Sequence, residues 1–332
     1  MPRGVVGSTS REERPQQTDG AGASRPILPT VVSDDRQTPK ARADVLAGMN
    51  LPQSHRADLF RSLHTPARPL ALVTVWDVSS ALAAQDAGAP AIATTSAGVA
   101  WSQGVPDGDR LDRARAVSVL AAIASAVDVP VSADIEGGYP DSTGDVTETV
   151  RAVIEAGAVG INIEDGSRSP DELSRRIAVA RRVADEMGVG LFVNARCDVY
   201  LTGAVAPAQR LEETVRRAAA YVEAGADGIF VPGVVDAETI AALAGAVQVP
   251  LNVMVGPGAL DVAGLGRLGV ARASLGSSVA QAAATTVRDA TAELLVTGTY
   301  DSLTGALDYG YVDGLLTRAS SSQTRRGATI DA

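Results

Sequence analysis

The sequence predicts one α/β domain, a (β/α)8 barrel of the TIM type. Eight short β-branched runs alternate with Ala-rich helical segments along the chain. Most runs are apolar at nearly every position, as a parallel sheet covered on both faces requires. An Ala-Gly-Ala turn recurs ahead of strands at 87–89, 156–158 and 224–226. A glycine there can close a helix in the left-handed conformation before the next strand begins. A doubly wound open sheet is the main rival, but no Gly-rich dinucleotide fingerprint follows the first strand.

In chain order, residues 1–45 are rich in Ser, Thr, Pro, Gly, Gln and charge. They cannot bury enough apolar surface to offset ordering entropy, so a disordered tail is expected. The domain is expected over 46–318, entered through a short amphipathic helix around Ala57, Leu59, Phe60 and Leu63. The strands are expected at 70–75, 91–95, 129–135, 159–165, 190–196, 228–233, 250–255 and 271–276. Between them, 147–157 and 211–225 carry helical spacing and end in Gly157 and Gly225. After the eighth strand, 279–316 reads as two or more helices, more than barrel closure needs. They either cap the same barrel or form a subunit contact. A flexible polar tail is expected over 319–332.

Composition narrows the function. A chain of 332 residues, 45 % of them hydrophobic, suits one barrel with extensions. A formal net charge of −10 argues against nucleic acid and anionic membranes as partners. Aromatic residues make up only 3 %, too few for base-stacking platforms. Cys197 is the single cysteine, so no intramolecular disulfide forms and a reducing compartment suits the chain. No run approaches the roughly 20 apolar residues of a spanning helix, and the N-terminus lacks a signal-peptide core. A soluble, cytoplasmic protein is expected.

In this fold the active site lies at the C-terminal strand ends, and those ends are unusually polar here. They bring Trp76 and Asp77, Thr95-Ser96-Ala97-Gly98, Asp134 and Glu136, Glu164-Asp165, and Asn194, Arg196 and Asp198. Strand alternation puts Ser132, Asp134 and Glu136 on one side, Asn162 and Glu164 on one side, and Asn194, Arg196 and Asp198 on one side. Asp165 and Cys197 face the helix layer. Converging carboxylates repel unless a cation sits among them, and an oxygen-only donor set is the pattern of Mg2+ or Mn2+. Zinc is disfavoured, because the two histidines, His55 and His64, precede the barrel and read as surface or tail residues. Arg196 can pair bidentately with a substrate carboxylate. The backbone N–H groups of Thr95-Ser96-Ala97 can hold another oxyanion. Carboxylates at strand ends also cap helices, and Trp76 suits core packing as well as a pocket wall.

The runs VSADIEGGY, AGAVGINIEDG and FVNARCDVYL, preceded by TTSAGVAWSQGVPDG, resemble the isocitrate lyase/phosphoenolpyruvate mutase superfamily over 70–316. The resemblance implies a barrel with a C-terminal helix exchanged between subunits, in a homodimer or homotetramer. It implies a Mg2+ that binds a 2-oxo acid and stabilises an enolate. Asp134 and Glu164 would then belong to the metal shell, with Asp107 of the VPDG loop nearby. Arg196 would hold the substrate carboxylate, and Thr95, Ser96, Ala97, Asn194 and Trp76 would line its site. Two departures stand out. Members often carry D-x-D where this chain has Asp134-x-Glu136, and the acid-bearing K-x-C-G-H loop of the lyases is replaced by GSRSPDELSRRI.

The resulting expectation is a Mg2+-dependent lyase-like enzyme that makes or breaks a C–C bond beside a 2-oxo acid. Arg196, Glu136 and Arg168 are its candidate catalytic residues, Arg168 closing over the site from the loop after strand four. An oxaloacetate- or phosphonopyruvate-type hydrolase, a phosphonate mutase and a non-catalytic metabolite-binding barrel are the alternatives.

Overall fold

The structure, a computed structural model, describes residues 51–139 and 146–330, with side chains through 321. The expected N-terminal tail lies outside the described residues. Eight parallel strands close into a barrel in sequence order: β1 (Leu70–Val75), β2 (Ile92–Thr94), β3 (Val131–Asp134), β4 (Gly160–Glu164), β5 (Phe192–Arg196), β6 (Gly228–Val231), β7 (Leu251–Met254) and β8 (Arg272–Ser274). Pairing of Leu70 with Arg272 joins the first strand to the last. Each strand falls inside its predicted run; helices cover most of the outer face of the barrel, and the strands' own side chains fill its interior. The Ala-Gly-Ala turns behave as their sequence requires. Gly88, Gly157 and Gly225 all take positive φ (92°, 100° and 108°), a conformation that costs a residue with a Cβ about 1–2 kcal/mol.

The entry helix, Gln53–Ser62, seals the N-terminal end of the barrel. Its buried Ala57 and Phe60 pack with Leu70, Leu72, Ala91, Ala93, Val159 and Phe192 at the strand starts. The approach is close: a Cβ on Gly160 would sit 2.6 Å from the Phe60 ring.

His64 corrects one expectation. Rather than lying on the surface it is buried, stacked on Phe192 with ring centroids 4.0 Å apart, and its Nδ1 lies 2.8 Å from the Phe60 carbonyl oxygen. The sequence showed a polar residue just before the first strand, whereas packing uses the ring as part of the plug. His55 is exposed. Burial, reinforced by the charge of Arg272, lowers the His64 pKa to about 3. The native state therefore holds a neutral ring, while the unfolded chain protonates near pH 6.5. Stability from this group is complete above that pH and is lost as pH falls towards 3, at about 1.4 kcal/mol per unit. Between pH 7 and pH 5 the native protein is expected to lose roughly 2 kcal/mol more than His64→Phe in chemical denaturation. Equal losses would mean the ring is not buried neutral.

The C-terminal region departs from the expected boundary. The last helix runs Tyr309–Ile330 instead of stopping at 318. Thr317, Ser320 and Ser321 turn their hydroxyls back onto carbonyls four residues earlier, so these polar side chains are satisfied within the helix. No helix among the described residues is long and apolar enough to cross a membrane.

Candidate active site

At the C-terminal strand ends lies a cavity of about 200 Å3. Its lining includes Thr95, Ser96, Ala97, Asp107, Asp134 and Arg196, six of the residues singled out from sequence. Asp134 ends β3, and its backbone N–H donates to Thr94 Oγ1 (2.9 Å). Its carboxylate Oδ2 accepts from the Ser96 backbone N–H (3.2 Å), so one amide expected to face substrate instead steadies the acid. Burial raises the Asp134 pKa; Arg196 opposes the rise and Asp107 adds to it. Asp107 is exposed at the rim.

Arg196, at the end of β5, is gripped from both sides. Its Nε donates to Asp198 Oδ1 (2.7 Å), and its Nη1 pairs with Glu164 Oε2 (2.6 Å) across the β4–β5 register. The guanidinium carbon also lies 6.0 Å from the Phe230 ring centroid. Burial alone would lower its pKa, but Glu164, Asp198 and Asp134 together more than reverse that, so the charge is secure. Burial in turn pushes Glu164 up to about 8 and raises Asp198, with Arg196 pulling both back. Three carboxylates thus share one guanidinium, an excess of negative charge that favours a cation or a proton at the mouth.

Behind this pair the chain holds a structural brace. Asp165 is fully buried and faces the helix layer, as strand alternation predicts. It accepts from the Asp198 backbone N–H (2.8 Å), Arg217 Nη1 (2.8 Å) and the Tyr221 hydroxyl (2.7 Å). Cys197 is buried beside it, and burial pushes its thiol up to about 12, so it is inert as a nucleophile.

Five predicted residues do not line the cavity; one is Glu164, which is turned onto Arg196. Glu136 lies beyond the end of β3, where alternation stops. Its left-handed backbone (φ 51°) turns the buried side chain to accept from the Asp109 backbone N–H. Asp109 (φ 56°) in turn pairs with Arg168, and its Oδ1 accepts from the Gly137 backbone N–H (3.1 Å). Arg168 therefore lies against Gly137, where a Cβ would collide with its guanidinium, and braces the loops instead of covering the cavity. Burial pushes Glu136 up to about 7. Trp76 packs beside Val99, Ala100 and Leu111. Asn194 is buried deeper in the barrel, donating to Asn162 Oδ1 (2.9 Å).

Sequence reasoning missed the lower part of the cavity lining, notably Phe230, Met254, Ser274 and Arg272. A charged residue inside the predicted eighth strand was the available signal for Arg272.

Among the described residues no three Asp, Glu, His or Cys side chains converge into a ready-made metal cage. Asp134 and Asp107 do share one cavity, and excess negative charge surrounds Arg196. One or two carboxylates, with water and substrate oxygens completing the shell, is the way Mg2+ is usually held. The donor set fits a hard divalent cation.

The profile of the phosphoenolpyruvate phosphomutase family matches residues 60–295. The chain belongs to this family. Within the isocitrate lyase/phosphoenolpyruvate mutase superfamily it is an enzyme of the carbon–carbon lyase/mutase type. An uncharacterised protein of Mycobacterium tuberculosis is 42 % identical over 66 % of this chain and 81 % of its own length. The 2-methylisocitrate lyase of Escherichia coli is 33 % identical over 58 % of this chain and 67 % of its own. Among solved structures, a candidate phosphonomutase from Burkholderia cenocepacia superposes with a TM-score of 0.69 and 41 % identity. That match covers 75 % of this chain and all of the other.

Proposed function

We propose that this phosphomutase-family enzyme is Mg2+-dependent and makes or breaks a C–C bond beside a 2-oxo acid through an enolate. The observation that carries the reading is the meeting of Asp134, Asp107, Arg196 and the Thr95-Ser96-Ala97 turn around one small cavity. Asp134 would hold the cation, with Asp107 and Glu164 near it. When bound, it would supply Lewis-acid stabilisation of negative charge developing on substrate oxygens. Arg196, pre-oriented by Asp198 and Glu164, would orient the substrate carboxylate at no further cost in side-chain freedom. Ala97 and Thr95 bound the side of the cavity and limit the substrate to a short acid. The reading is tested by calorimetric titration of oxalate, a pyruvate-enolate mimic, with and without Mg2+. Binding that needs the metal supports it, and indifference to Mg2+ overturns it.

Subunit exchange fits the same reading. In the helix Ser278–Val296 that follows β8, only Ala280 is buried, while Val287, Leu294, Leu295 and Val296 stand exposed. The outer face of β1 meanwhile borders an apolar groove of about 550 Å3, lined by Leu63, Ala71, Val73, Ala84 and Ala89. We propose that a second copy supplies the covering helix. Light scattering on the eluting protein is expected to give a multiple of the chain mass, and Leu295→Glu should lower it. A monomer in the native protein would rule the exchange out.

A further inference from the structure

The cavity continues downward into a polar layer that the proposed chemistry does not use. Apolar side chains fill the interior of most such barrels, yet here Asn162, Asn252, Arg272 and Ser274 meet below the mouth, all buried. Arg272, on β8, is only 1 % exposed and lines the cavity. Its Nη2 donates to Asn162 Oδ1 (3.2 Å), but Nε and Nη1 have no partner. Beside it on β7, Asn252 accepts from Ser274 Oγ (3.1 Å), while its Nδ2 is also without a partner.

This arrangement is costly as it stands. Taking a guanidinium out of water costs several kcal/mol unless ion pairing and hydrogen bonds offset it, and no carboxylate among the described residues pairs with Arg272. Burial lowers its pKa to about 9, with Asp134 opposing, so it remains charged at neutral pH. The contrast with Arg196 is direct. Arg196 already has carboxylates on its Nη1 and Nε, whereas the same two nitrogens of Arg272 have no partner. All three unpartnered nitrogens on Arg272 and Asn252 are donors, so their complement is a group made of acceptors.

We propose that Arg272 binds a carboxylate of the substrate from beneath, making the cavity a two-ended site that selects dicarboxylate 2-oxo acids over monocarboxylates. Arg196 at the mouth and Arg272 at the floor would each take one anionic end. Arg272 is thereby a specificity-determining residue, and the desolvation that its burial costs in the free protein is recovered when the dianion binds. The proposal rests on reading the cavity as a 2-oxo acid site.

The test compares pyruvate with 3,3-difluorooxaloacetate, a 2-oxo acid that carries a second carboxylate on a fluorinated C3, by calorimetry with Mg2+ present. In the native protein the dicarboxylate is expected to bind at least about tenfold more tightly. Arg272→Met should weaken it by roughly ten- to hundredfold, the value of a charge-assisted hydrogen bond. The same variant should change pyruvate binding by less than about threefold, and Arg272→Lys should restore part of the difference. Equal loss for both ligands, or loss for neither, would overturn the proposal. The melting temperature separates a structural role. Ligand-free Arg272→Met should melt no lower than the native protein, and a marked drop would make Arg272 a packing group. If the native protein binds neither acid with Mg2+, the enolate reading fails. Thermal shift with malonate against acetate, without metal, then decides this one: malonate-specific stabilisation that disappears in Arg272→Met sustains the floor site, and its absence sinks it.

Discussion

Asp134→Asn is expected to abolish Mg2+-dependent oxalate binding and at the same time to raise the melting temperature of the metal-free protein. Both effects follow from the position of this carboxylate at the end of β3, among protein groups and close to the charge of Asp107. Burial disfavours its ionised form, and Arg196, already shared by Glu164 and Asp198, offsets that only in part. Asparagine keeps the shape and removes the charge, so the free protein is relieved of an unfavourable ionisation. About 1 kcal/mol of relief shifts the melting temperature by roughly 2–4 °C or less for a chain of this size. The cation loses its anionic donor, and oxalate affinity should fall by at least about a hundredfold, the scale of one lost charged contact in a dry site. Such opposition between stability and function is common where a site is built from strained or unpaired charge. Unchanged oxalate binding in Asp134→Asn would remove this residue from the metal shell.

The largest loss of stability is expected for Asp165→Ala. One carboxylate there satisfies the Asp198 amide, the Arg217 guanidinium and the Tyr221 hydroxyl, and it is fully buried. Removing it leaves a cation without one of its anions and two polar groups without acceptors. Breaking a buried pair in this way costs about 3–5 kcal/mol, on the order of a 10 °C drop in melting temperature. Tyr221→Phe deletes one of the three bonds and should cost only about 1 kcal/mol. Since Asp198 holds Arg196 through its Nε, the damage should also reach the site. In Asp165→Ala, oxalate should bind more weakly even at temperatures where the variant remains folded. Chemical denaturation of both variants checks the ordering, and a Tyr221→Phe cost equal to that of Asp165→Ala would show that the ion pair with Arg217 contributes little.

How far the site could be read from residues alone depends on where each side chain sits relative to a regular strand. Asp134 and Arg196 lie within strands, where alternation is strict, and both reach the cavity. Asp165 and Cys197 were expected on the outer side and are buried there, against the helix layer or in the core around it. Two residues past Asp134, Glu136 has left the strand, and a left-handed backbone sends it to Asp109 instead. Arg168 is in a loop, and its partner Asp109 is 59 positions away in sequence, a pairing that no local pattern encodes.

The sequence by itself determined the barrel, the order and place of its eight strands, the glycine turns that launch three of them, and the acid and arginine that face the mouth. These follow from short-range rules: apolar periodicity, helix closure and strand alternation all act within a few residues. Only the tertiary structure decided that Arg168 and Glu136 brace the loops, that His64 plugs the base of the barrel, and that Arg272 stands unneutralised beneath the mouth. Those outcomes depend on which distant groups come within a few ångströms, and on how much water folding removes around each charge.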